Sequence, residues 1–109
     1  MIIATRVLRL IGDDGDIEVP VSLHAPVEDD RCWRCDYEIG WPHRPRKFHS
    51  YGDDATQALI LGLHMIGIDL YMTDYHRSGL LIWDEEEAGY GYPLPVILKD
   101  IAVGMDKRD

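Results

Sequence analysis

Cys32-Trp33-Arg34-Cys35, followed by His43 and His49, is a residue set that binds zinc when its four donors converge. The spacing speaks against convergence. His43 follows Cys35 more closely than the histidines of common zinc fingers follow their cysteines. Trp33, Cys35, Tyr37 and Ile39 alternate with Cys32, Arg34, Asp36 and Glu38, and residues three apart on a strand point to opposite faces. Cys35 therefore reads as a small core residue, and neither a metal nor another cofactor is expected. A redox role for the pair is disfavoured as well, because thiolate activation in such motifs uses a helix N-terminus.

Two other clusters carry chemistry. His43, Arg44, Arg46, Lys47, His49 and Tyr51 lie just before Asp54, which can cap a helix. Free N–H groups at a helix start attract anions, so this run is a candidate anion or ligand site. Asp53 and Asp54 oppose it by filling the cap with negative charge. Trp83, Asp84, Glu85, Glu86, Glu87, Tyr90 and Tyr92 form an acidic and aromatic stretch suited to a basic protein partner. The competing expectation is that these rings close the ends of a small core. His64 lies in an apolar helical pattern and His76 at a polar helix end, both ordinary packing positions. No Gly-x-Ser-x-Gly turn and no glycine-rich phosphate loop occurs, so no catalytic residue is assigned.

The elements that must position these residues are legible in part. Residues 2–11 read as a strand, and Gly12-Asp13-Asp14-Gly15-Asp16 as a tight turn. Ile17, Val19, Val21 and Leu23 then alternate with Glu18, Pro20, Ser22 and His24. Pro20 cannot donate to a ladder, which places this strand at an edge or turns its missing donor outward. Residues 26–30 read as an acidic linker, the alternating run 33–39 as a third strand, and residues 40–52 as a loop. Asp54 and Gln57 form a capping box for a helix whose apolar side runs through Ala55, Ala58, Leu59, Gly62, Leu63, Ile66 and Leu70. Ile60 and Leu61 are expected to widen that stripe. Arg77 suits the last turn and Gly79 the stop. Leu80 to Trp83 can form one short strand. Residues 95–103 fit either a short C-terminal helix or a strand.

Composition bounds the remaining possibilities. The chain has 109 residues, 46% of them hydrophobic, enough for one domain over 1–109 with a core of its own. The longest nearly apolar run, Ala58 to Ile68, falls short of the roughly 20 residues a membrane helix needs. The start Met-Ile-Ile-Ala-Thr-Arg lacks the basic-then-apolar order of a signal peptide, and two cysteines fit reduced thiols, so a cytoplasmic location is expected. The formal net charge of −9 is an average over unlike parts: −5 over residues 1–30, +3 over 31–49 and −7 over 50–109. Nucleic acid is not expected as a partner, because its binding draws largely on cationic contacts.

Tyr51-Gly52-Asp53-Asp54-Ala55-Thr56-Gln57-Ala58-Leu59, with the Trp33-x-Cys35-x-Tyr37 strand and the Gly89-Tyr90-Gly91-Tyr92-Pro93-Leu94-Pro95 loop, resembles a small bacterial family of uncharacterised single-domain proteins. The resemblance covers nearly the whole chain and implies no activity and no site residue. Such acidic domains are similar in character to immunity proteins, an analogy of type. The sequence thus predicts an α+β domain: an antiparallel sheet of three to five strands, opening as an N-terminal meander, covered on one face by a long amphipathic helix. The expected role is non-enzymatic binding of a basic protein partner or a second copy through the acidic and aromatic stretch. The alternative is a small-molecule or anion site, or a small enzyme, at loop 43–49.

Overall fold

The computed structural model describes residues 1–85, 89–95 and 101–107. Strand β1 (Ile2–Leu10) turns at Gly12 to Gly15 into β2 (Ile17–His24), the two pairing antiparallel from Leu10↔Ile17 to Ile2↔His24. Gly15 takes φ +120°, a left-handed backbone that a side chain would strain. Strand β4 (Cys32–Ile39) pairs β2 through Val21↔Ile39 and Leu23↔Tyr37. Between them lies β3 (Val27–Asp29), joined to β4 by a tight turn at Asp30-Arg31, with Asp30 at φ 60°. Asp tolerates that region better than most residues. Strand β5 (Arg46–Gly52) pairs β4 along its whole length, so β2 and β3 share the opposite edge of β4.

Helix α1 (Ala55–Tyr71) follows, then the single turn α2 (Asp74–Arg77), and β6 (Leu81–Ile82) closes onto β1 through Arg9↔Ile82. A 3-10 turn spans Gly104–Lys107. The α+β architecture is as the sequence predicts, but with six strands. The two extra strands arise where the sequence lacks alternation. Residues 27–29 are held by pairing with Cys32 to Arg34, and residues 46–52 by pairing with Trp33 to Ile39. Neither depends on an apolar pattern of its own, since ladder hydrogen bonds suffice.

Pro20 sits in a central strand and not at an edge. Gly40 N–H donates to the Pro20 carbonyl at 2.8 Å, so the proline's missing donor points past the end of β4, where the chain is already turning away. The other expectation for Pro20, a donor position directed away from the ladder, describes the result.

The core follows the two clean alternations. Val19, Val21, Leu23, Cys35, Tyr37 and Ile39 are buried with Leu8 and Leu10 of β1. Helix α1 lies across β4 and β5 on this face. It approaches closely because the contacting residues are small. A Cβ on Gly52 would lie 2.4 Å from the Ala58 backbone nitrogen, and one on Gly62 would lie 3.3 Å from Cys35 Sγ. Ser50 Oγ donates to the Ala58 carbonyl at 2.6 Å within the same contact. The capping pair forms as predicted: Asp54 accepts from Gln57 N–H at 2.7 Å, and the Gln57 amide oxygen accepts from Asp53 N–H at 2.6 Å.

Two details of the helix differ from the sequence reading. Ile60 and Leu61 are exposed, on the side away from the sheet. The helix stops at Tyr71, because Thr73 bonds back to the Leu70 carbonyl and caps α2 through His76 N–H. Gly79, at φ +76°, ends the second helix instead.

Residues 89–95 and 101–107 complete the cover. Tyr90, Leu94 and Ala102 are buried, and a Cβ on Gly67 would meet Leu94 Cδ2 at 2.8 Å. The question of helix or strand over 95–103 falls mostly on residues 96–100, outside the described residues; Ile101 to Val103 are irregular. No described helix is long and apolar enough to cross a membrane.

Candidate functional site: a basic cleft beside the end of the long helix

Beyond Ile39 the chain leaves the sheet. Trp41 N–H bonds to the Ile39 carbonyl at 3.0 Å, and the indole folds back into the core. There it stacks on Tyr75 of α2, with ring centroids 4.9 Å apart and planes 20° from parallel. His43 Nδ1 lies 2.7 Å from the Tyr75 hydroxyl, so that ring is held on one face and at its hydroxyl. The loop returns as β5, where Arg46 Nε donates to Asp69 Oδ2 at 2.8 Å. The Tyr37 hydroxyl donates to the same carboxylate oxygen. Arg77 pairs with Asp74 at 2.7 Å on the facing turn.

Of these residues, Trp41, His43, Arg46, Asp74, Tyr75 and Arg77 line an open cleft of about 830 Å3 between the β4–β5 connection and the Met72 to Arg77 segment. Arg44, Arg46, Lys47 and Arg77 bring four cations to its walls, and among the described residues Asp74 is the one acidic residue lining it. Among the described residues, Arg44 and Lys47 make no ion pair. The Asp69 hydrogen bond raises the Arg46 pKa, against the opposing effect of burial. Burial, and then the bond to Asp69, push the Tyr37 hydroxyl up as well. The Tyr37–Asp69–Arg46 cluster therefore keeps a fixed pattern, with guanidinium charged and phenol protonated, across the physiological range.

The position of this cleft corrects the sequence reading of the basic run. Residues 46–52 are a strand, not a loop, and a strand rises about 3.3 Å per residue. His43, Arg44, Arg46 and Lys47 consequently sit near the C-terminal end of α1, while the N-terminal cap lies at the other end of β5. The helix N–H groups take no part. His49 and Tyr51 do not line the cleft; their rings contact each other edge-on at 4.9 Å on the face of β5 turned away from the helix.

Asp69, Tyr75 and Arg77 were not legible as site residues. Asp69 had one signal: a carboxylate in the last turn of a helix opposes the helix dipole and calls for a cationic partner. Tyr75 had none, since its stacking on Trp41 joins segments far apart in sequence.

The acidic and aromatic stretch is arranged differently from its expected exposed form. Tyr90 is buried. Its N–H and that of Gly91 donate to the buried Asp106 carboxylate, each at 2.8 Å, and the Tyr71 hydroxyl donates to Asp106 at 2.7 Å. His76 Nδ1 is 2.5 Å from the Tyr90 hydroxyl. Burial, and secondarily Arg77, lower the His76 pKa. A small cavity of about 190 Å3 lies beside His76, Glu85 and Tyr90. Trp83 and Tyr92 are half-buried and clamp the Arg6 guanidinium, 3.8 Å and 5.0 Å from their ring centroids. Burial pushes the Tyr92 hydroxyl up to about 12. Asp84 and Glu85 are exposed, and Glu86 and Glu87 lie outside the described residues.

Cys35 is in the core and Cys32 occupies the other face of β4, its thiol donating to the Asp29 carbonyl. Burial raises the Cys35 thiol pKa. Among the described residues no three His, Cys, Asp or Glu side chains group as metal ligands would.

No curated protein and no solved structure matches the chain. A family model does match, over residues 4–94, which takes in β1 from Ala4 onward, β2 to β6, both α-helices and the lining of the cleft. The chain therefore belongs to the family described as a domain of unknown function, DUF6968.

Proposed function

We propose that the protein is a non-catalytic binding protein that takes an anionic ligand in the basic cleft. The observation that carries this reading is the gathering of Arg44, Arg46, Lys47 and Arg77 around about 830 Å3, on a chain whose net charge is −9. Clefts of roughly 300–1,000 Å3 with a few placed polar groups are the usual small-molecule sites. Two of the four cations already have carboxylate partners, and Arg44 and Lys47 are left to meet a ligand. The repulsive flanks then act as a filter, since an anion finds attraction in one place and repulsion elsewhere. Calorimetric titration with inorganic tripolyphosphate tests the reading. One-to-one binding that the Arg44→Gln/Lys47→Gln double variant weakens is the expected result. No heat with that anion, or binding unchanged in the double variant, would overturn it.

A second reading retains a basic protein partner, or a second copy, on the acidic stretch around Trp83, Asp84 and Glu85. It is favoured by the exposure of both carboxylates, which make no ion pair among the described residues. For the second copy, light scattering over a concentration series decides: a strictly monomeric mass removes it. In either reading we place the protein in the cytoplasm, where the free thiols of Cys32 and Cys35 stay reduced.

A further inference from the structure

Resting on the anion-binding reading above, we propose that the ligand is a nucleoside phosphate, with its base against Tyr75 and its phosphate at Arg44 and Lys47. A bare anion needs cations alone. This cleft also holds an aromatic platform: Tyr75 is half-buried, backed by the Trp41 ring at 4.9 Å and fixed through its hydroxyl by His43. A ring so held loses little freedom when a planar base lies on it, and stacking of this kind accepts any base. Asp74 adds a second requirement. Its carboxylate is almost fully exposed at the wall and paired with Arg77. A carboxylate there repels a bare polyphosphate but accepts hydrogen bonds from sugar hydroxyls or a base amino group.

The charge distribution limits the ligand to one unit. Residues 31–49 carry +3 between segments of −5 and −7, so most of the chain is net acidic. Polymer binding needs successive cationic contacts along the backbone, which a net charge of −9 disfavours.

Calorimetry on the full chain with tripolyphosphate, adenosine, the four ribonucleoside triphosphates and a single-stranded oligonucleotide of about ten residues tests the proposal. At least one nucleoside triphosphate should bind about tenfold or more tightly than tripolyphosphate. Tyr75→Leu should remove that advantage, bringing nucleotide affinity down to that of tripolyphosphate for the same variant. If this variant fails to fold, Asp74→Asn replaces it: it should strengthen tripolyphosphate binding more than nucleotide binding. Nucleotides binding no better than tripolyphosphate would overturn this inference and leave the anion-binding reading standing. Adenosine binding as tightly as its phosphates would overturn both, as would the absence of tripolyphosphate binding. An oligonucleotide binding more tightly than every mononucleotide would overturn the restriction to one unit.

Discussion

Asp106 is buried and accepts from the Tyr71 hydroxyl and from the N–H groups of Tyr90 and Gly91. Replacing it with Ala strands three donors at once. Each buried donor left without a partner costs about 1–3 kcal/mol, so Asp106→Ala should destabilise the fold by about 3 kcal/mol or more in urea titration. Val103 N–H in turn donates to the Tyr71 hydroxyl at 3.1 Å, which ties the 3-10 turn and α1 to the same carboxylate. His76, next in this network, makes a pH prediction with a definite sign. Its pKa in the folded protein is below the ordinary 6.5, mainly through burial and then through Arg77, with Asp106 acting the other way. The unfolded chain therefore binds the proton first as pH falls. Stability present above about pH 6.5 is lost on acidification through the folded-state pKa. Thermal melts from about pH 7.5 to about pH 5 should show a smaller loss for His76→Gln than for the wild type.

At the scale of elements, the contact between α1 and β5 depends on the absence of side-chain volume. Gly52 has no room for a methyl group, because a Cβ would stand 2.4 Å from Ala58 N and 2.9 Å from Ala58 Cα, both backbone atoms. Backbone cannot swing aside as a flexible side chain does. Gly52→Ala should therefore lower stability by about 1–3 kcal/mol in chemical denaturation, the usual cost of overpacking. The helix cap, both alternating strands and the Gly12 to Gly15 turn were legible because each rests on local chemistry: a side-chain oxygen three residues from an N–H, a period of two, a positive φ. Strands β3 and β5 were not legible. Arg46-Lys47-Phe48-His49 offers no apolar face, and β4 supplies the ladder that makes it a strand.

For the whole molecule, the uneven charge becomes a spatial arrangement. Arg44, Arg46 and Lys47 come from the +3 segment and Arg77 from the −7 segment, and a ligand held at Arg44 and Lys47 remains open to solvent ions. Screening at about 0.15 M ionic strength acts over about 8 Å, so anion affinity should fall steadily as salt rises. Titrations with tripolyphosphate from about 0.05 M to about 0.5 M sodium chloride check this. Affinity that does not change with salt would mean that uncharged contacts dominate.

The sequence by itself determined the α+β class, the buried faces of β2 and β4, the capped start of α1 and the basic character of residues 43–47. All of these are properties of neighbours along the chain, set by periodicity, capping and composition. It could not determine where the basic run would lie. A seven-residue strand carries the chain from one end of α1 to the other, so the distance between Lys47 and the helix cap depends on whether β4 pairs with residues 46–52. That pairing, the stacking of Trp41 on Tyr75 and the convergence of Tyr37 and Arg46 on Asp69 join residues far apart in sequence. Only the tertiary structure decides such contacts, because their energy exists only once the chain has closed on itself.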